Sequence, residues 1–453
     1  MTAPLWQLSA ARLVEGYRSG AFTPVDALKA VLERCEAVNP SLNAVVTLAP
    51  EAALEAAELS AKRWQAGAPL GPLDGVPISI KDNLQVKGMR ATWGSRAFAE
   101  FIPDHDEVPV ERLRAQGLVL FGKTNVPELT LQGYTDNLLF GATGNPHAPA
   151  LTPGGSSGGA VAAVGSGIGP LALCTDGGGS IRRPAAHGGL FGLKPSARTV
   201  RRGKGFPAIL GEFEGVGPIA RTLEDVALML EVLAEDDLPN GELSVAPRIL
   251  HARTFAGQPV DPEIAAGIDD IARRLTDAGC EVTTLDSLDI LSGMDAVWPV
   301  VSASGVAWLF DQYPALTEMA GKDLQAMAET GRGCTAADYA GAIAGIETIK
   351  DRFLTRLAGF DALLTPAIAA LSWPKATSHP GTIAGQPVGP RGHAIFTAFA
   401  NALGLPGLSV PAGVSAAGLP YGFQLVGPDR SEKRLIAIAE RLSPKSPGIP
   451  TGT

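Results

Sequence analysis

Residues Gly154 to Pro184 read GGSSGGAVAAVGSGIGPLALCTDGGGSIRRP, two glycine–serine turns separated by an apolar segment of small residues. Gly154-Gly155-Ser156-Ser157-Gly158-Gly159 opens the stretch and Asp176-Gly177-Gly178-Gly179-Ser180-Ile181-Arg182 closes it, with no charged residue before Asp176. Glycine at this density lets backbone N–H groups converge on one spot and admits dihedrals closed to other residues. The hydroxyls of Ser156 and Ser180 are thereby offered as reactive groups.

A serine hydroxyl becomes a nucleophile only when a neighbouring base takes its proton. Lys81 is the candidate base. It ends Gly75-Val76-Pro77-Ile78-Ser79-Ile80 and precedes Asp82-Asn83, so an apolar run that predicts a buried strand carries the ammonium inward. Burial disfavours the charged form and favours a neutral amine. Taken alone, Lys81 and Lys123 would each read as a strand-end lysine reaching for solvent.

Other readings stand beside this one. Glycine-rich loops also bind phosphate, but no G-K-[ST] follows either loop. Gly154 to Gly158 fits G-x-S-x-G, which would make Ser156 the nucleophile of an α/β-hydrolase with a later aspartate and histidine. That requires a base from His187, His251, His379 or His393, none of which sits in a motif. Asp176 and Arg182 flank the second loop and read as a supporting tie, and Ser157 likewise reads as support rather than chemistry.

GGSSGG followed after 24 serine-to-serine positions by TDGGGSIRRP, with GVPISIKDN upstream, resembles the amidase signature family. FGKTNVPE (121–128), GNPHAP (144–149), GGLFGLKPS (188–196), GPIARTLEDVALML (217–230), FDALLTPA (360–367) and NALGLPGLSVPAG (401–413) extend the likeness in order along the chain. The resemblance implies a Ser-cisSer-Lys unit. Ser180 would be the nucleophile, Ser156 a bridging serine on a cis peptide after Gly155, and Lys81 the general base. It further implies an oxyanion hole from the N–H groups of Gly177, Gly178, Gly179 and Ser180, and needs no cofactor or metal. The fold it implies is α/β, a large mixed central β-sheet covered by helices on both faces.

Composition agrees with such an enzyme. The chain has 453 residues, 45% hydrophobic and 18% charged, as in an ordinary globular protein with a large core. Its net charge of −9 argues against nucleic acid or an acidic membrane as a main partner. Cys35, Cys174, Cys280 and Cys334 make no metal spacing and read as reduced thiols of a cytoplasmic protein. Residues 151–175 carry no charge, but seven glycines and two prolines suit a buried loop and helix better than a membrane span.

Motifs spread without a linker-like break predict a single domain over 1–453: a helical layer in 1–70, a catalytic core in 71–220, and the rest of the sheet with a substrate-shaping region in 221–453. Thr23-Pro24-Val25-Asp26 predicts a helix start, and Thr222 caps a helix over Leu223 to Leu233. Trp298, Trp308, Phe310 and Tyr313 read as pocket or core aromatics. Ala369 to Gly392, rich in proline and glycine, is expected at the active-site rim.

The activity expected is hydrolysis of C–N bonds in neutral, aryl or apolar amides, with carbamates (urethanes) and esters as further small-molecule substrates. The rival within the family is the glutaminase component of a tRNA-dependent amidotransferase. Such proteins hold glutamine with an arginine in an RIMLGT-like helix and an aspartate before an FT-x-x-x-N segment. Here the comparable stretches read Met327-Ala328-Glu329-Thr330-Gly331-Arg332-Gly333 and His393-Ala394-Ile395-Phe396-Thr397, the second without an acid. The sequence leaves the oligomeric state open, a homodimer included.

Overall fold

A computed structural model describes residues 3–289, 291 and 293–450. Along these residues run thirteen strands, β1 (Val45–Leu48), β2 (Pro77–Lys81), β3 (Val119–Thr124), β4 (Leu171–Asp176), β5 (Phe191–Lys194), β6 (Gly215–Ala220), β7 (Arg248–Phe255), β8 (Glu281–Leu288), β9 (Ala362–Pro366), the short pair β10 (Thr382–Ile383) and β11 (Gln386–Pro387), β12 (Gly407–Val414) and β13 (Pro420–Val426). The helices are α1 (Ala10–Ser19), α2 (Pro24–Leu42), α3 (Pro50–Gln65), α4 (Val108–Ala115), α5 (Gly158–Ser166), α6 (Arg182–Gly188), α7 (Leu223–Leu233), α8 (Pro262–Asp277), α9 (Met294–Gln312), α10 (Leu316–Met319), α11 (Lys322–Arg332), α12 (Ala336–Leu357), α13 (Ala398–Ala402) and α14 (Glu432–Glu440).

Eleven strands form one sheet in the order β1-β3-β2-β4-β6-β5-β12-β13-β9-β7-β8. It is mixed: β2 runs parallel to both β3 and β4, whereas β4 and β6 are antiparallel. Both faces are covered, as alternate side chains of one strand demonstrate. Leu120 on β3 and Leu118 just before it join a cluster with Val110 and Leu113 of α4. Val119 and Phe121 point the other way, toward Leu28 of α2 and Ala162 of α5. On β4, Leu171 and Leu173 take the first side and Ala172 and Cys174 the second, against Ala160 and Val164.

Local signals were sound where residues act on their neighbours. Thr23 accepts from Asp26 N in a reciprocal capping box, and Thr222 accepts from Asp225 N to start α7 where expected, each cap contributing about 1 kcal/mol. The Asp225 carboxylate in turn accepts from Ala10 N and Ala11 N at 3.1 and 3.0 Å, tying the first helical layer to the core. The first 70 residues are not wholly helical, however, because β1 pairs antiparallel with β3 at the sheet edge. Four residues running from buried Val45 to exposed Leu48 carry too short a pattern to betray a strand.

Strand order places the two candidate loops. β2 and β4 are parallel neighbours, so Lys81 at the end of β2 and the glycine turn after β4 emerge at the same end of the sheet. The Ser156 turn leads into α5, whose nine residues are all buried. Small side chains are what let it lie so close: a Cβ on Gly159 would stand 2.3 Å from Asn125 N.

Candidate active site

Lys81 is wholly buried, and its Nζ donates to Ser156 Oγ at 2.8 Å and to the Thr175 carbonyl at 2.9 Å. Burial pulls its pKa from 10.5 to about 8, against weaker upward pulls from Cys174 and Asp176. The Gly155–Ser156 peptide is cis. Ser157 N–H donates to the Ser180 carbonyl at 3.2 Å, and Ser157 Oγ to Thr175 O at 3.4 Å, so the two serine loops are tied through backbone. Among the described residues, the Ser180 hydroxyl makes no hydrogen bond; it opens instead into a cavity of about 440 Å³. Apo geometry of this kind commonly tightens only when substrate is present.

Asp176 organises the glycine turn. Its carboxylate accepts from Gly179 N at 2.5 Å, Ile181 N at 3.0 Å, and Arg182 Nε and Nη2 at 3.0 and 3.1 Å. Burial alone would raise its pKa, but the buried Arg182 guanidinium and these donors hold it far below the carboxylate range. Gly179 has φ +114°, a region open to glycine, and a Cβ there would lie 2.1 Å from Thr397 Oγ1. Thr397 Oγ1 also donates to the Gly178 carbonyl at 2.8 Å. The Gly179 N–H, expected among the oxyanion donors, is engaged by Asp176 in this structure. The N–H groups of Gly178 and Ser180 make no hydrogen bond among the described residues.

Several residues that hold this site were not singled out from sequence. Asn401 Nδ2 donates to the carbonyl and carboxylate of Asp176 at 2.7 and 2.9 Å, and Arg182 Nη1 donates to Gln424 Oε1 at 2.8 Å. Both lie more than 200 positions from their partners; a polar residue inside an apolar motif was the available signal. Lys123 does not reach solvent: it is buried and paired with Asp82 at 3.3 Å, which supports the turn following Lys81. Of the four aromatics, only Trp298 lines the cavity, while Phe310 is core, Tyr313 packs against Phe98, and Trp308 is exposed.

The cavity also takes in Gly177, Gly178, Leu131, Leu210, Pro299, Ala303, Ala326 and Met327, with Arg183, Asp323 and Arg391 as its charged residues. Arg391 is supplied by the proline- and glycine-rich excursion. Arg332 lies outside, engaged with Glu329 and Asp311 at the surface. Among the described residues, no helix is long and apolar enough to cross a membrane.

A family model described as Amidase matches residues 26–436. Curated relatives include a glutamyl-tRNA(Gln) amidotransferase component (its A chain) from a Synechococcus species, 34% identical over 94% of this chain and 93% of that one. The corresponding component from Symbiobacterium thermophilum is 33% identical over 95% of each. Among solved structures, a bacterial aryl acylamidase of the amidase signature family superposes with a TM-score of 0.89 at 30% identity, covering 98% of both chains. A 6-aminohexanoate cyclic dimer hydrolase complexed with substrate gives 0.87 at 26% identity, covering 99% of this chain and 98% of that one.

Proposed function

The chain belongs to the amidase signature family and is a hydrolase acting on carbon–nitrogen bonds, and from that premise we propose a stand-alone amidase working through an acyl-enzyme on Ser180. The observation that carries this reading is the buried hydrogen bond from Lys81 to Ser156 beside a cavity into which Ser180 opens. Ser180 Oγ attacks the amide carbonyl while its proton passes to Ser156 and that of Ser156 to a neutral Lys81. The developing oxyanion is received by the N–H groups of Gly178 and Ser180, with Gly177 adjacent; one such donor contributes roughly 3 kcal/mol. Lys81 then returns a proton through Ser156 to the leaving nitrogen, and water reverses the relay to free the acid.

Aryl or apolar amides are the favoured substrates, with carbamates and esters sharing the acyl step. Trp298, Leu210, Met327 and Leu131 offer the flat and apolar surface such groups require. A Ser-His-Asp alternative has no support, since the hydrogen bond to Ser156 Oγ comes from Lys81.

The names of the amidotransferase relatives favour a second reading, a glutaminase working within an amidotransferase. The absence of an acid just before Phe396-Thr397 and the surface position of Arg332 weigh against it. A hydrolysis screen of the purified protein against glutamine, anilides, carbamates and p-nitrophenyl esters decides. Turnover of glutamine alone would replace the amidase reading by the second one.

A further inference from the structure

Arg182 and Arg183 are consecutive in the first turn of α6, so their side chains leave the helix about 100° apart. Arg182 is consumed by the scaffold: Asp176, Gln424, Asn401 and the Thr397 carbonyl take its guanidinium. Arg183 is only 7% exposed, yet its one hydrogen bond among the described residues runs from Nε to the Gly179 carbonyl at 3.3 Å. Neither of its Nη groups meets a carboxylate or any other acceptor there. They are not sealed away, because Arg183 lines the same cavity as Ser180 and Gly178.

Arg391 stands at that cavity too, its guanidinium 4.8 Å from the centre of the Trp298 ring and in no ion pair among the described residues. Asp323 is the one carboxylate lining the cavity against these two cations. Burial, and then the proximity of Arg391, pull the Arg183 pKa down to about 9 against a weaker upward pull from Asp176, which does not hydrogen-bond it. A buried charge left unpaired is costly. A group retained at that cost beside a reactive serine is balanced when the ligand supplies the opposite charge.

The geometry points to a substrate that brings its own carboxylate: an amide whose apolar or aryl body lies along Trp298, Leu210 and Met327 and whose carboxylate is received by Arg183, with Arg391 at the mouth. Guanidinium and carboxylate match in a planar, two-point hydrogen bond. The inference rests on the amidase reading of Ser180 and differs from the neutral substrate expected from the sequence.

Two matched pairs test it: glutaryl against valeryl 4-nitroanilide, which place the charge on the acyl side, and 4-acetamidobenzoate against acetanilide, which place it on the leaving side. In at least one pair the carboxylated member is expected to have the higher kcat/KM, by about tenfold or more and chiefly through KM, as a charged hydrogen bond would give. Arg183→Gln is expected to bring that ratio close to one, Arg183→Lys to retain part of it, and Arg391→Gln to lower it severalfold. If Arg183→Gln does not fold, Arg391→Gln and calorimetric binding of the same compounds to Ser180→Ala carry the test. Neutral members turned over or bound as well as their carboxylated partners in both pairs would overturn the inference and leave the amidase reading standing. No turnover of any amide or ester, with no labelling of Ser180 by a fluorophosphonate, would overturn the amidase reading; carboxylate-selective binding to Ser180→Ala would then still decide the fate of the arginine site.

Discussion

Lys81 and Ser156 share a hydrogen bond of 2.8 Å at positions with 0% and 1% exposure. The contrast with Lys123 explains why only one of these two buried lysines suits a base. Lys123 has the Asp82 carboxylate as its partner at 3.3 Å, whereas Lys81 meets a hydroxyl and a carbonyl, and among the described residues no carboxylate hydrogen-bonds it.

With its pKa lowered to about 8 by burial, Lys81 should give kcat/KM a single rising limb that levels off above that pH. Lys81→Ala should abolish the limb and slow amides more than activated esters, whose leaving group needs no proton. Equal losses on both would show that Lys81 only supports the structure.

The same shift makes a stability prediction. The folded pKa lies below the unfolded 10.5, so between about 8 and 10.5 the unfolded chain binds the extra proton and stability rises with pH. Lys194, lowered to about 7 chiefly by burial, contributes in the same direction. Urea midpoints across this range should therefore climb more steeply for the wild type than for Lys81→Met. Parallel curves would remove the case for a buried, charge-penalised Lys81.

Ser180→Ala should lose all acylation and keep its urea midpoint, since the change removes one hydroxyl that holds nothing in place. After fluorophosphonate treatment of the wild type, peptide mass spectrometry should find the adduct on Ser180. An adduct on Ser156 would instead revive the G-x-S-x-G reading.

Asp176→Ala should be among the most disruptive substitutions near the site. It leaves the Gly179 and Ile181 N–H groups and the buried Arg182 without their acceptor, and breaking a buried ion pair costs about 3–5 kcal/mol. Denaturation should show a loss of that order, and the fraction still folded should be labelled at Ser180 more slowly because the glycine turn is no longer held. An unchanged midpoint would mean the Asp176–Arg182 pair does not hold the turn.

No histidine should be essential to the reaction. His187 hydrogen-bonds the Ala370 carbonyl through Nε2 and is buried to the point that its pKa falls to about 4, so His187→Asn should cost stability while the folded fraction keeps its rate. A loss on the order of 10³-fold in kcat/KM at any of the six histidines, with folding intact, would transfer the base role away from Lys81.

What the sequence determined by itself was local or strongly patterned. The apolar β-branched run ending at Lys81, the small-residue helix after Gly158 and the threonine caps at Thr23 and Thr222 each act within a few positions, where side-chain size, period and capping chemistry settle the outcome. The order of the two serine turns and the lysine motif was legible for the same reason, since each is a contiguous string. Tertiary structure alone decided that β2 and β4 lie side by side and parallel, which is what brings Lys81 to Ser156 across 75 positions. It also decided that Gly179 gives its N–H to Asp176, that Asn401 and Gln424 reach back to hold Asp176 and Arg182, and that Arg183 turns toward the cavity while its neighbour turns away. Those outcomes follow from which buried charges and unpaired backbone groups find each other once the sheet has closed, and a requirement met by residues more than 200 positions away leaves no periodic trace in the chain.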